Sequence, residues 1–234
     1  MTMLSRFATL GSGLGPPDPY WSSVTLLLTG DNLLDSSSSP KTMVNNGPVA
    51  TTVSTSVKQF GSGSLLFAGT SISNYAKLST SYTGFGTSNF TLEFWVYFGT
   101  STADQYAFDS RSGFGDASGF ALLYNDAATP NKLAVYYGSG FLLTPTISIS
   151  SPGWYFVALC RSSNTITMYV NGNSAGSATL SANLSNTIYR FGSGNDNYPS
   201  VNCYLDDVRI TQGIARYSGS TCPVPTAPFP TYGP

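Results

Sequence analysis

Glu93 is the only glutamate in this chain, and the chain contains no histidine. Glycoside hydrolysis generally requires two carboxyl groups, about 5 to 5.5 Å apart for retention or about 6.5 to 9.5 Å apart for inversion. Asp206 and Asp207 are adjacent, so on a strand their side chains would point to opposite faces and could not act on one substrate atom. A serine or cysteine triad needs a histidine base. We therefore expect that the protein is not an enzyme.

Two interpretations of Glu93 remain open from the sequence. The alternation of residues 90–98 is typical of a strand, and it places Glu93 on the same face as Trp95. On an exposed face, Glu93 would offer a hydrogen-bond acceptor to a sugar. On a half-buried face it would need a cation, because buried carboxylates usually pair, and the candidate partners are Arg161 and Arg209.

Three loops offer side chains suited to sugar recognition. Such recognition uses aromatic rings for the apolar face of a sugar and amide or carboxyl groups for its hydroxyls, usually on loops that a rigid sheet supports. The loops span residues 104–119, 124–131 and 192–202. The candidate glycan-binding residues are Asn195, Asp196, Asn197, Tyr198, Tyr124 and Asn125. The alternative is an ordinary set of turns, because Asn, Asp and Gly occupy turns for backbone reasons alone.

Alternating apolar and polar residues predict that strands support these loops. Residues 153–162 and 165–170 alternate on either side of a polar turn, and Asn171-Gly172 then favours a second reversal of the chain. Strands are also predicted at 21–29, 43–52, 64–67, 75–79, 90–98, 105–109, 120–124, 133–137, 146–149, 174–180, 188–191 and 203–210. This pattern, without helical periodicity, predicts an all-β fold in which two antiparallel sheets pack as a jelly-roll sandwich.

The two ends of the chain differ in composition from its middle. We expect one sandwich domain over residues 21–222, an N-terminal arm over 1–20 and an extended proline-rich segment over 223–234, with a short helical turn at 211–217. Neither end can form its own core, so we expect both to lie on a neighbouring molecule. The apolar residues of the arm are Met3, Leu4, Phe7 and Leu10. They either attach the protein to a partner or belong to a loose tail.

Composition and charge exclude several kinds of partner. Only 9% of the residues are charged and the net charge is -1, which leaves no basic field for nucleic acid. The sequence shows neither a membrane-spanning run nor the apolar stretch of a signal peptide, so we expect synthesis in a cytoplasm.

Cys160, Cys203 and Cys222 lack metal-binding spacing, and their odd number argues against a complete disulfide framework. We expect Cys160 to be a core residue.

Four motifs, taken in order, resemble the laminin-G-like branch of the concanavalin A-like lectin/glucanase superfamily. They are GSLLFAGT at 63–70, NFTLEFWVYF at 89–98, GWYFVALCRSSNTITMYVNG at 153–172 and YLDDVRI at 204–210. The resemblance implies a single lectin-like sandwich. The chain lacks the paired glutamates of the glucanase branch, which agrees with a protein that is not an enzyme.

The flanking segments resemble, more narrowly, laminin-G-like proteins encoded by tailed phages and environmental viruses. DPYWSSVTLLL at 18–28, DDVRITQGIARY at 206–217 and PTAPFP at 225–230 carry this likeness. It implies a structural or adhesive virion protein, in the capsid decoration or in a tail or fibre, that assembles with other virion proteins and has a cell-surface glycan as a further partner. The alternative is a free, extracellular carbohydrate-binding protein.

The resemblance also implies a structural calcium ion. In many relatives the first Asp of the closing strand is a ligand, and Asp206 corresponds to it here. Asp31 or Asp35 would supply a ligand from the N-terminal part of the chain. Ala68 replaces the Asp or Asn that is usual near the FAGT motif, so the ligand set implied by the resemblance is incomplete.

Overall fold

The computed structural model describes residues 16–100 and 104–234. They form two antiparallel sheets packed face to face, so the expected all-β jelly-roll sandwich is confirmed. A 3₁₀ turn at Trp21–Ser23 precedes the first strand. The strands are β1 (Val24–Leu28), β2 (Val44–Asn45), β3 (Thr52–Ser54), β4 (Ser64–Phe67), β5 (Leu78–Ser81), β6 (Phe90–Phe98), β7 (Gln105–Asp109), β8 (Phe120–Tyr124), β9 (Leu133–Tyr137), β10 (Gly140–Leu143), β11 (Gly153–Ser162), β12 (Thr165–Val170), β13 (Asn173–Thr179), β14 (Ile188–Phe191) and β15 (Cys203–Gln212). No helix in the described ranges is long and apolar enough to cross a membrane.

Strand order differs from chain order in both sheets. The first sheet runs β13-β12-β11-β6-β15-β4-β3, and β1 pairs with the second half of β15. The second sheet runs β10-β9-β8-β7-β14-β5-β2. β6 and β15 therefore lie inside the first sheet, while β7, β8 and β14 lie inside the second sheet, where β7 pairs with both of the others.

The main core fills the space between the two sheets. β6 contributes the five alternate residues that the sequence predicts, namely Phe90, Leu92, Phe94, Val96 and Phe98. Burying one such side chain is worth about 1.5 to 3 kcal/mol. The register of β6 with its neighbours sets Glu93 between Ala158 of β11 and Arg209 of β15. The face of β6 that points away from the core therefore brings a carboxylate beside a guanidinium.

Three predicted elements differ in the structure. The single strand expected at 43–52 is replaced by the short strands β2 and β3, which belong to different sheets. Residues 146–149 form no strand, because the N–H of Thr146 donates to the Ala175 carbonyl of one sheet and the N–H of Ile149 donates to the Asn131 carbonyl beside the other. Ile149 is buried, so its apolar character reflects packing and not pairing. Residues 211–217 form no helical turn either, because β15 continues to Gln212, still paired with β6.

The segment after β15, residues 213–234, crosses the outer face of the first sheet, and we call it the C-terminal strap. Phe229 is buried there against Trp95 and Phe156, in an apolar cluster separate from the main core. The N–H of Phe229 donates to Asp207 at 3.0 Å, and the Arg209 guanidinium lies 3.7 Å from the centroid of its ring. Our expectation that the C-terminal end lies on a neighbouring molecule is therefore wrong, since the chain's own sheet supplies the apolar surface.

Candidate functional site

A cleft opens on the outer face of the second sheet. Its floor is formed by Tyr106 of β7, Leu123 of β8 and Tyr136 of β9, which alternate with the residues that face the main core. Tyr106 and Leu123 belong to a small apolar cluster of their own, on which Tyr136 packs. The cleft encloses about 180 Å³, and three loops form its walls.

A salt bridge between Arg111 and Asp109 connects the floor of the cleft with the loops that form its walls. The Arg111 Nη2 and Nε atoms donate to the Asp109 carboxylate at 2.8 and 3.1 Å. The guanidinium lies 4.8 Å from the centroid of the Tyr136 ring and 5.7 Å from that of the Tyr106 ring. Asp109 also accepts a hydrogen bond from the Asn195 N–H at 2.9 Å. One buried ion pair thus joins the end of β7 to the loop after β14.

Phe114 stands at the tip of the loop after β7 and is 81% exposed at the mouth of the cleft. Asp116 shapes this loop by accepting hydrogen bonds from the N–H groups of Ser112 at 2.6 Å and Ser118 at 2.7 Å. Burial raises the pKa of Asp116, but these N–H groups and the side chains of Asn186 and Ser112 outweigh it and lower the pKa to about 2. An ionised carboxylate therefore holds an exposed aromatic ring in place.

The loop after β14 supplies the opposite wall, as the sequence analysis anticipated for part of its residues. Asn195 and Asp196 line the cleft, and the Tyr198 ring stands edge-on to the Tyr106 ring at 6.5 Å. Asp196 accepts a hydrogen bond from the Tyr198 N–H at 3.2 Å. Burial and the charge of Asp196 raise the pKa of Tyr106 to about 12. Asn197 faces another way, since it accepts a hydrogen bond from Lys77 Nζ at 2.9 Å.

Tyr124 corrects one of our predictions. Its side chain faces the core, where it stacks on Phe98 at 4.0 Å between ring centroids and donates to the Ile149 carbonyl, so it cannot contact a glycan. Asn125, the next residue, is in a left-handed turn with φ of 62° and accepts a hydrogen bond from the Asn131 N–H. Asn125 thus has a backbone role, as expected of an ordinary turn.

Seven residues that line the cleft were not singled out from the sequence. They are Asp104, Tyr106, Arg111, Phe114, Leu123, Asp126 and Tyr136. Four of them lie in two of the candidate loops, but nothing in the loop sequences ranked them. Tyr106 and Tyr136 belong to strands. Their positions in the strand alternation could have identified them, because each alternates with core residues and therefore faces outward.

Glu93 lies under the C-terminal strap and not in the cleft. Its carboxylate accepts hydrogen bonds from Arg209 Nε at 2.9 Å and from the Tyr217 hydroxyl at 2.7 Å. Arg209 also pairs with Asp18 at 2.8 Å. The interpretation of Glu93 as an ion-pair partner is therefore confirmed, with Arg209 and not Arg161 as the partner. Glu93 is fully buried and is not presented to a substrate.

Asp206 has one carboxylate oxygen engaged and one without a donor. Its Oδ2 accepts hydrogen bonds from the N–H groups of Gln59 at 2.8 Å and Phe60 at 3.0 Å. Its Oδ1 is buried and finds no hydrogen-bond partner among the described residues. A Cβ added to Gly30 would lie 2.6 Å from this Oδ1 and 2.9 Å from the Gly63 carbonyl, so the two oxygens converge on one point. Calcium prefers ligands of this kind.

The other two calcium candidates differ from each other. Asp31 contacts the same turn, since its Oδ1 accepts hydrogen bonds from the N–H of Gly63 at 3.1 Å and from the Ser62 hydroxyl at 2.8 Å. Asp35 accepts hydrogen bonds from the N–H groups of Leu27 and Ser37 and therefore closes a loop. Within the described ranges, no three Asp, Glu, His or Cys side chains gather as a metal site. Main-chain carbonyls would have to complete the ligand set.

The four residues of the N-terminal attachment arm, Met3, Leu4, Phe7 and Leu10, lie outside the described residues. The described part of the arm begins at Pro16, and Asp18 is buried. The N–H of Asp18 donates to the Tyr232 carbonyl at 3.0 Å, and its carboxylate pairs with Arg209 and Arg216. Residues 16–20 are therefore tied to the C-terminal strap.

A family model of the laminin G type, described as the concanavalin A-like lectin/glucanases superfamily, matches residues 68–214. The matched range contains the floor of the cleft and its three walls. No curated protein matches the sequence.

Solved structures with the same fold include several carbohydrate-related proteins. Domain 4 of AbnA, a GH43 extracellular arabinanase from Geobacillus stearothermophilus solved in complex with arabinotriose, has a TM-score of 0.65 at 15% identity over 82% of this chain and 93% of that chain. Botulinum neurotoxin type C, whose cell entry depends on interaction with two ganglioside molecules, has a TM-score of 0.57 at 15% identity over 82% of this chain and 48% of that chain. A Trypanosoma rangeli sialidase solved with 2,3-difluorosialic acid has a TM-score of 0.55 at 17% identity over 81% of this chain and 31% of that chain. Such identities show a shared fold.

Proposed function

Because the chain belongs to the concanavalin A-like lectin/glucanase superfamily, we propose that it is a lectin-like protein without catalytic activity that binds glycans in the cleft of the second sheet. The observation that carries this proposal is the composition of the cleft. An exposed ring, Phe114, lines the same cleft as the carboxylate of Asp196 and the amide of Asn195, over a floor that includes two tyrosines. Sugars present one apolar face and a rim of hydroxyls, which these groups complement.

The buried Asp109–Arg111 pair supports the same proposal. Recognition of a sugar requires polar groups whose positions are fixed before the ligand arrives, because ordering them on binding would cost affinity. The pair fixes the loop after β14 relative to β7, while Asp116 fixes the Phe114 loop. The structurally similar arabinanase domain and neurotoxin, described with arabinotriose and gangliosides, are consistent with carbohydrate as the ligand class.

A glycan array with the full chain, followed by calorimetric titration of the strongest ligand, tests the proposal. Phe114→Ala and Tyr198→Ala should each weaken binding roughly tenfold, because each removes an aromatic surface worth about 1.5 kcal/mol or more. Leu34→Ala is the matched control, since Leu34 is also exposed, at 66%, but lies on the loop after β1 of the other sheet. No bound glycan, or equal binding by all three variants, would contradict the proposal.

We further propose that the protein acts as part of a phage virion, in the capsid decoration or in a tail or fibre. The sequence resemblance of residues 18–28, 206–217 and 225–230 to virion proteins supports this role. The same three segments form or contact the buried network around Arg209, so they are structural parts of the domain. Mass spectrometry of purified virions is the test, and a virion that lacks this chain would overturn the role.

A structural calcium ion at Asp206 is a further proposal. Its Oδ1, the Gly63 carbonyl and the neighbouring Asp31 carboxylate would hold the ion, which would supply the positive charge that buried carboxylates need. Calcium at one hundred times its dissociation constant should add about 2.7 kcal/mol of stability. Thermal unfolding with calcium and with a chelator tests this. Asp206→Asn should remove the difference, Asp196→Asn should keep it, and identical unfolding of the wild type in both conditions would refute the site.

A further inference from the structure

The cleft of the second sheet is lined by more acidic than basic side chains. Three carboxylates line it, those of Asp104, Asp126 and Asp196. Arg111 is the one cation among the described residues of its lining. The balance of these charges determines which sugar derivatives the cleft admits, because a charged group in a partly enclosed cleft is screened less than one on an open surface.

The charge of Arg111 is already matched inside the protein. The side chain is 3% exposed, and both its Nε and its Nη2 donate to Asp109, which is itself buried. The rings of Tyr106 and Tyr136 lie within 6 Å of the guanidinium carbon, at 5.7 and 4.8 Å. Arg111 therefore offers no free cationic fork to an anionic ligand.

Two of the three lining carboxylates, in contrast, accept a hydrogen bond on one oxygen only. Asp126 Oδ1 accepts a hydrogen bond from the Ala128 N–H at 2.8 Å, and Asp196 Oδ1 accepts one from the Tyr198 N–H at 3.2 Å. In the described part of the chain, the second oxygen of each has no donor. Burial and the charge of Asp126 raise the pKa of Asp104, as expected where negative charges accumulate without a cation.

We propose that the cleft selects glycan units that carry a cationic amino group and excludes units that carry a carboxylate. This inference rests on the proposed glycan binding and adds the class of sugar. An ammonium group has three donors, which match the free oxygens of Asp126 and Asp196, and it lowers the repulsion between them. A uronic or sialic acid would bring a fourth carboxylate to three that have no free cation.

The test uses three trisaccharides with the same β-1,4 linkage: the glucosamine trimer, cellotriose and the glucuronic acid trimer. Calorimetric titration of the full chain at pH 6 and low salt should give affinities in that order, with up to about fivefold between neighbours in the series. At 0.5 M salt the three affinities should converge, because the Debye length falls to a few ångströms. Asp126→Asn combined with Asp196→Asn should bring them within about twofold at low salt.

Phe114→Ala is the matched control, because it should weaken all three ligands together and keep their order. Tighter binding of the glucuronic acid trimer, or equal binding of the three at low salt, would overturn the selectivity for cationic sugars but not the proposed glycan binding. The same conclusion would follow if a glycan on the array bound through Phe114 while the glucosamine trimer did not bind. If no glycan of any charge binds, the proposed function fails as well.

Discussion

Asp116 shows how a single ionised side chain sets the geometry of the cleft. Its carboxylate receives the N–H groups of Ser112 and Ser118 and the amide of Asn186, so the loop that carries Phe114 closes around it. A carboxylate can accept all of these hydrogen bonds only when it is ionised. The position of Phe114 is therefore linked to the charge of a residue that does not line the cleft.

Asp116→Asn should loosen this loop and make the stability of the protein less dependent on pH. The folded state lowers the pKa of Asp116 from 3.8 to about 2, so its contribution is complete above about pH 4 and is lost as the pH falls through about 2. Because the group is only partly buried and its charge is screened by solvent, we expect a loss of at most about 1 kcal/mol at pH 7. Thermal unfolding of both proteins from pH 2 to 7 should show a difference that vanishes near pH 2. A constant difference would contradict the linkage.

Glu93→Gln should destabilise the fold by roughly 3 to 5 kcal/mol, since it leaves Arg209 buried beside a neutral partner. Urea denaturation measures this loss. Asp196→Asn removes the charge of an exposed carboxylate and should change the free energy of unfolding by less than about 0.5 kcal/mol. Equal stability of the two variants would mean that the network around Glu93 contributes little.

At the residue scale, the sequence points to one loop that lines the cleft and to one ring that the structure places in the core. The cluster from Asn195 to Tyr198 was predictable because it combines a ring with polar groups in a turn. Tyr124 was misplaced because a strand end beside a polar loop looks exposed, whereas its phase follows Phe120 and Leu122 into the core. Contacts between distant segments, such as Arg111 with Tyr136, have no local signature in the sequence.

At the scale of the elements, the predicted strand 90–98 has the same first and last residues as β6. Its five alternate apolar side chains allow only one assignment of the face that packs on the core. The proline-rich part of the C-terminal strap, residues 223–234, is predicted to be extended, since prolines cannot donate to a sheet, whereas the helical turn predicted at 211–217 is wrong. The surface on which it lies was not predictable from composition. The alternation of β6 places Glu93 and Trp95 on its outer face but does not show whether that face is covered. The strap is the layer that buries it.

Phe229→Ala should therefore destabilise the sandwich itself. Phe229 is 6% exposed and packs on Arg209, so its removal opens a cavity and is expected to cost about 3 kcal/mol. Val224→Ala, at a residue of the same strap that is 36% exposed, should cost under about 1 kcal/mol. The midpoint of urea unfolding measures both. A strap that merely rests on the surface would give two small and equal effects.

For the whole molecule, deletion of residues 2–15 tests whether the sandwich folds independently of the proposed attachment arm. The described contacts of the N-terminal segment begin at residues 16–18, where Asp18 pairs with Arg209 and Arg216. We expect the thermal midpoint to stay within about 2 °C of the full chain, a change of less than about 1 kcal/mol for a protein of this size. Incorporation into the particle should be lost. Asp18→Ala in the full chain should produce the opposite result, a less stable protein.

The hydrogen bond between Asp18 and Tyr232 has a practical consequence for anyone who handles this protein. It brings both ends of the described chain to one side of the sandwich, while the cleft opens on the opposite side. A tag, a fluorophore or a surface coupled at residue 16 or at residue 234 would therefore leave the cleft pointing outward into solution. A circular permutant that joins residues 16 and 234 by a short linker and starts at Gly113 should retain the sandwich, and it would show whether the Phe114 loop tolerates being cut.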